Sequence, residues 1–112
     1  MKSFLVAAAI PALGVGVGAA EAKPSSCSLV IAERDVFDGT CDFNSDPDGS
    51  FRLTYAGQNY FVYVNVVEPG SAKGYWNGWT QESRAHDDLG TLTREEKDPA
   101  CWSNGYARVC AR

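Results

Sequence analysis

The fold is decided by residues 60–67, which read YFVYVNVV. All of these residues except Asn65 are aromatic or β-branched, and such side chains favour a pleated strand. The run is apolar on both faces, whereas a strand with one solvated face would alternate. We therefore predict a buried central strand, ended by the turn residues Pro69 and Gly70.

Upstream of this strand, short apolar stretches alternate with turn residues. Residues 51–55 (FRLTY) predict a strand with one face buried, and residues 46–49 (DPDG) predict the turn before it. Asp-Gly at 38–39 predicts a hairpin turn that leads into a strand over 40–43. Residues 27–31 predict the first strand.

Downstream, the same analysis predicts a strand over 73–80, interrupted at Asn77-Gly78, and another over 89–94. The polar stretch 81–88 is expected to be a loop or a single helical turn. Residues 100–102 and 106–111 predict a closing hairpin. The fold class is thus all-β, a small antiparallel barrel or sandwich of about seven or eight short strands.

The first 22 residues have the order of a secretory signal peptide. Lys2 is the only charge before Glu21, an apolar run follows over 4–10, and Ala20-Glu21-Ala22 supplies a small-residue cleavage site. We expect cleavage before Lys23, which leaves 23–112 as a single domain that is periplasmic or secreted. After cleavage we expect no stable membrane insertion, since no second long apolar run remains.

The four cysteines fit an oxidising compartment. Cys27, Cys41, Cys101 and Cys110 permit three connectivities, and the sequence does not select one. The simplest is local, which joins the first two and the last two. Zinc is a poor alternative, because there is no C-x-x-C and only one His. We expect a domain stapled by disulfides, as small domains have marginal cores.

The charge balance predicts the sign of the charge on a binding partner. Ten Lys and Arg face fourteen Asp and Glu, for a net charge of −4. Six acids, interrupted only by Arg34, fall within one segment: Glu33, Asp35, Asp38, Asp42, Asp46 and Asp48. Such a segment would attract a basic protein and repel nucleic acid, unless it serves only solubility.

Catalytic and metal chemistry find little support in the residues. His86 is the only histidine, and Ser83 and Asp87 near it in sequence do not establish a triad. Asn44, Asp46 and Asp48 resemble the start of a calcium loop, but a hairpin turn explains them better. We expect no enzyme, no cofactor and no metal site.

Recognition residues are better represented. Residues 69–74 predict a small polar loop displayed on a rigid sheet. Exposed Trp residues could anchor a protein or stack on a sugar, although packing explains each Trp taken singly. The candidate partner-binding residues are Ser71, Lys73, Tyr75, Trp76, Trp79, Arg84 and His86.

Most of the predicted mature chain resembles a group of small exported proteobacterial proteins without an assigned function. The resemblance is carried by DGTC at 38–41, DGSF at 48–51, YFVYV at 60–64, YWNG at 75–78, LGTL at 89–92 and Cys101-Trp102.

A second resemblance is to the periplasmic and membrane-bound inhibitors of c-type lysozyme. These are small exported β-barrels with a Ser-Gly-x-x-Tyr loop and a later Lys, both inserted into the lysozyme cleft. Here Ser71 and Tyr75 have the matching separation, Ala72 replaces the Gly, and Arg84 stands near the position of the Lys.

The second resemblance implies inhibition by occlusion of the enzyme cleft. Ser71 would donate or accept hydrogen bonds, and Arg84 would pair with acidic catalytic groups. The acidic segment would steer association with a basic lysozyme. The alternative hypothesis is a carbohydrate or cell-envelope-binding module that recognises a polysaccharide through exposed Trp side chains.

Overall fold

Alternating burial of side chains organises the structure, a computed structural model that describes residues 22–112. In residues 71–76, for example, every second side chain is buried and the others are partly exposed. The predicted signal peptide, apart from Ala22, lies outside the described residues.

Eight antiparallel strands form a closed barrel in which each strand pairs with its neighbours in sequence and β1 pairs with β8. The predicted all-β class is confirmed, and the barrel rather than the sandwich is the architecture. The strands are β1 (Lys23–Ile31), β2 (Arg34–Ser45), β3 (Phe51–Tyr55), β4 (Tyr60–Glu68), β5 (Ser71–Trp76), β6 (Asp87–Arg94), β7 (Cys101–Ser103) and β8 (Ala107–Ala111).

The barrel interior is filled by apolar side chains, as expected for eight strands. The predicted central strand is β4, which contributes Val62 and Val64 to this core. Leu29, Ile31, Leu53, Leu92 and Val109 are also fully buried.

The predicted turn at Asp38-Gly39 is wrong, because both residues lie within the long strand β2. The turn falls earlier, at Ala32 and Glu33, which both adopt positive φ (52° and 66°) and reverse the chain in two residues. A glycine is present at position 39 because the Tyr55 side chain packs against it: a Cβ there would lie 3.1 Å from the Tyr55 hydroxyl oxygen.

Two further boundaries differ from expectation. The predicted loop over 69–74 is wrong beyond Gly70, since β5 begins at Ser71 and pairs with β4 and β6. Gly70 adopts a φ of 79°, which allows the chain to reverse direction within the two residues 69–70. The strand predicted to reach Thr80 ends at Trp76, where Asn77 starts a loop to β6.

Both disulfides are present and follow the local connectivity. Cys27 pairs with Cys41 between β1 and β2, and Cys101 pairs with Cys110 between β7 and β8. No cysteine among the described residues is free. Each bond therefore staples neighbouring strands of the wall.

The two ends of the barrel are built differently. The loops 46–50, 69–70 and 95–100 lie at one end, and each contains a proline: Pro47, Pro69 and Pro99. We name this the proline end. The loops 32–33, 56–59, 77–86 and 104–106 lie at the other end, which we name the tryptophan end after Trp79. None of these four contains a proline.

Ion pairs hold the loop 95–100 against β8. Arg108 donates two hydrogen bonds to Glu95, at 2.8 and 3.0 Å, and Arg112 donates two to Asp98, at 2.9 and 2.6 Å. These guanidinium hydrogen bonds lower the pKa of both carboxyl groups. The loop is thus tied to the last strand by paired, two-pronged contacts.

Acidification should loosen this loop. A carboxyl group whose folded pKa is depressed contributes stability above its unfolded pKa and loses it as pH falls through the folded value. We expect the melting temperature to decrease as the pH is lowered beneath about 4. This decrease should be smaller in the double variant Glu95→Gln, Asp98→Asn. Glu96→Gln, in the same loop, is the control and should keep the wild-type slope. An equal slope in the double variant, measured by thermal unfolding between pH 7 and 2, would contradict the assignment.

Candidate functional site

The outer face of β5 carries three of the candidate residues. Ser71, Lys73 and Tyr75 point outwards, because they alternate with the buried Ala72, Gly74 and Trp76. The structure thus brings the Ser and Tyr of the inhibitor resemblance onto one face. They belong to a strand of the barrel wall, paired on both edges, and do not form a projecting loop.

Strand register extends this face into a continuous line of side chains across five strands. Tyr75 is opposite Tyr63 on β4, and Tyr63 is opposite Arg52 on β3. Arg52 is opposite Asn44 on β2, while Asp88 flanks Tyr75 on β6. We call these five residues the outer row. Directly opposed side chains lie about 5 Å apart, so neighbours in the row are in contact range.

A shallow groove opens beside the outer row. It has a volume of about 300 Å³ and is lined by Arg52, Tyr63, Phe61, Asp46 and Ala85. Ala85 belongs to the loop 77–86, which therefore reaches towards the outer faces of β3 and β4. The groove combines aromatic walls with one cationic and one anionic side chain.

The loop 77–86 is fixed by the buried amide of Asn77. Its Oδ1 accepts from the Phe61 N–H at 3.0 Å, and its Nδ2 donates to the carbonyl oxygens of Asn59 at 2.7 Å and Glu82 at 2.6 Å. The Glu82 N–H also donates to the Asn77 carbonyl oxygen. One side chain thus joins this loop to β4 and to the loop 56–59.

The tryptophans contribute less surface than their number suggests. Trp76 is 2% exposed and Trp102 is 6% exposed, so both pack in the core and Trp76 offers no surface to a partner. Trp79 is 45% exposed. It packs edge-on against Trp76, with ring centroids 5.0 Å apart, and the Arg34 guanidinium carbon lies 4.5 Å from its ring centroid. Its free surface is therefore partial.

Arg84 and His86 lie in the loop after β5, on the exposed surface. Ser71 starts β5, about 17 Å along the strand from Trp76, where that loop begins. Of the Ser71 and Arg84 pair implied by the inhibitor resemblance, Ser71 is thus at the start of β5, and Arg84 belongs to the loop that follows the other end of that strand.

The surroundings of His86 are acidic. Its Nε2 lies 3.1 Å from Glu82 Oε1, and its Nδ1 lies 3.1 Å from Asp87 Oδ1. Two carboxylates around one imidazole orient the ring, and these contacts place no hydroxyl or thiol nucleophile beside it.

The acidic segment runs along the barrel with β2. Glu33 lies at the tryptophan end, Asp38 and Asp42 are exposed on β2, and Asp46 and Asp48 lie at the proline end. Within residues 22–112, none of the segment's six carboxylates forms a salt bridge. The side of the barrel that carries β2 therefore presents several carboxylates that no salt bridge within the described residues neutralises.

Metal ligands are not clustered in the described part of the chain: no group of three or more His, Cys, Asp or Glu is placed to hold an ion. In the segment 44–49, which resembles the start of a calcium loop, Asp48 Oδ1 accepts from the Ser50 N–H at 2.9 Å. That hydrogen bond lowers the pKa of Asp48 and belongs to the turn before β3.

Sequence reasoning missed four members of the outer row, Asn44, Arg52, Tyr63 and Asp88. The alternation in 51–55 predicts that Arg52 faces outwards, but its neighbours depend on the register of four hairpins.

Comparison with models of known families, with curated proteins and with solved structures gives no match for this chain. Over residues 22–112, no helix has the length and apolarity to cross a membrane.

Removing the Asn77 amide should release the loop 77–86. Asn77→Ala leaves the Phe61 N–H and two carbonyl oxygens without this partner, which should lower the free energy of unfolding by about 1–3 kcal/mol. Asn77→Asp keeps the acceptor for the Phe61 N–H and loses both donated hydrogen bonds, so it should also lower the free energy of unfolding. Asn44→Ala, on the outer face of β2, is the control. Denaturant unfolding that gives equal losses for Asn77→Ala and Asn44→Ala would refute this function of Asn77.

Proposed function

We propose that this chain is an exported, non-enzymatic binding protein that recognises a basic protein partner, with a c-type lysozyme as the leading candidate. The observation that carries the proposal is the adjacency of two surfaces. The unpaired carboxylates along β2 lie next to the outer row, which is aromatic at Tyr63 and Tyr75.

Export is supported by the paired cysteines and by the signal-like N-terminus. Both disulfides are compatible with an oxidising periplasmic or extracellular compartment. Strand β1 begins at Lys23, the residue expected to follow the cleavage site.

Binding is supported by the composition and stiffness of the outer row. Tyr and Arg are enriched at protein interfaces, where they provide large contact areas together with hydrogen bonds. Each member of the row is hydrogen-bonded into the sheet through the ladders that join β2 to β6, so little backbone entropy is lost when a partner binds.

The charge of the neighbouring strand fits a basic partner. Exposed carboxylates that have no internal cation attract positive surfaces and accelerate encounter, an effect that salt weakens. A lysozyme cleft would be covered by the face of the barrel, because Ser71–Trp76 is held in the wall and does not project. Inhibition would follow from occlusion, without a bond being made or broken.

A second candidate function is polysaccharide binding at the groove beside the outer row. Phe61 and Tyr63 offer rings on which a sugar could stack, and Arg52 and Asp46 offer polar contacts. This hypothesis keeps the predicted envelope partner but replaces the predicted Trp platform, since Trp76 and Trp102 are buried.

The test is a titration of the purified protein into c-type and g-type lysozymes, with residual activity and binding measured at low and high salt. We expect inhibition of the c-type enzyme that weakens as salt rises. Tyr75→Ala and Tyr63→Ala should weaken binding about tenfold or more, while Tyr106→Ala, exposed at the tryptophan end, is the matched control.

Further variants test two points: whether the carboxylates on β2 accelerate association, and whether the protein binds by inserting into the cleft or by its outer face. Asp38→Asn with Asp42→Asn should slow association, and Glu96→Gln should not. Loss of binding in Ser71→Ala and Arg84→Ala, with Tyr63→Ala unaffected, would support cleft insertion over face binding. No inhibition of either lysozyme at a large molar excess contradicts the leading candidate. Retention on insoluble peptidoglycan that is lost in Tyr63→Ala would then identify the second candidate.

A further inference from the structure

We propose that the proline end of the barrel is a binding site for a small amphiphilic amine, an apolar chain or ring that carries an ammonium group. This site is at one end of the barrel, whereas the outer row is on its wall, and Asp46 is the residue that the cleft shares with the groove beside that row. The proposal does not depend on the proposed protein partner. It rests on a cleft, on the rigidity of its rim and on the sign of the charges around it.

The cleft is large enough for an organic ligand. Its volume is about 900 Å³, within the range of small-molecule pockets. It lies at the mouth of the barrel, between the loops 46–50, 69–70 and 95–100. Small-molecule sites occur in the mouths of β-barrels.

The floor of the cleft is apolar and largely aromatic. Phe43 and Phe51 stack with ring centroids 5.3 Å apart, and Trp102 and Val66 complete the floor. Phe51 and Trp102 are both 6% exposed, so the core side chains themselves form this surface. Val67 extends it to the rim, where it is 58% exposed.

The rim is pre-organised by proline. Pro47, Pro69 and Pro99 line the cleft, one from each loop at this end. A proline ring fixes φ and reduces the conformations open to a loop, so less entropy is lost when a ligand is bound. The loop 95–100 is held further by the ion pairs of Arg108 and Arg112 with its carboxylates.

The charges at the rim favour a cation. Asp46, Asp48 and Glu68 line the cleft as exposed carboxylates, and none of them forms a salt bridge within residues 22–112. Among the described residues that line the cleft, Arg94 is the one cation. Its Nε donates to the Pro99 carbonyl oxygen at 2.9 Å, and its guanidinium carbon lies 5.8 Å from the Trp102 ring centroid. Three carboxylates therefore face one partly engaged guanidinium.

The experiment compares octylammonium with octanoate, which has an apolar chain of similar length and the opposite charge. Binding is measured by calorimetry and by Trp fluorescence at neutral pH and low salt. Trp102 is the reporter, since Trp76 and Trp79 lie at the tryptophan end. We expect saturable binding of octylammonium, with octanoate at least about fivefold weaker.

Rim variants test the charge. Asp46→Asn and Glu68→Gln should each weaken octylammonium binding about two- to fivefold, and Asp38→Asn, on the outer face of β2, should leave it unchanged. Val67→Lys should weaken octylammonium and strengthen octanoate. These residues are exposed, so the fold should survive, and thermal unfolding confirms that it does.

Location is tested by Trp102→Phe, which should remove the fluorescence response and keep the calorimetric binding within about threefold. A response that survives this substitution places the ligand elsewhere and overturns the proposal. The proposal is also overturned if octanoate binds as tightly as octylammonium, if the rim variants have no effect, or if no saturable binding is found.

Discussion

The pairing of β1 with β8 is the interaction on which the rest of the structure depends. It closes the sheet, so that every strand has a neighbour on both sides, although β6 pairs with β7 only at Thr93 and Arg94. Closure gives the barrel its two ends, and the ladders from β2 to β6 hold the outer row in fixed register. Ser26 and Arg112 exchange both backbone hydrogen bonds, at 3.2 and 2.9 Å, which carries closure to the end of the chain.

Closure also separates three surfaces that differ in chemistry. The proline end joins an aromatic floor to carboxylates, the tryptophan end carries the longest loop, anchored by Asn77, and the wall carries the outer row. Because the strands alternate in direction, successive loops fall at opposite ends. A small chain can therefore display separate surfaces without a second domain.

Much of the fold could be predicted from sequence because local patterns dominate it. Residues 51–55 alternate, residues 60–67 are continuously apolar, and Asp-Pro-Asp-Gly at 46–49 makes the expected turn. The turn predicted at Asp38-Gly39 was wrong because Gly39 leaves room for the Tyr55 ring, a long-range contact that the local sequence does not show. The outer row and the cleft depend on register and on loops that meet only after closure, so Tyr75 is the one residue of the outer row that the sequence marks as a partner-binding candidate.

Closure is tested most directly by native-state hydrogen exchange, resolved by residue, at the β1 and β8 amides. Since Ser26 and Arg112 form a hydrogen-bonded pair, the amides of Ser28, Val30, Arg108 and Cys110 should point across the same seam. The closed barrel predicts that they exchange as slowly as the amides within β4, close to the global unfolding limit. Exchange at the rate of unprotected amides, with β4 still protected, would mean an open sheet and would contradict the account.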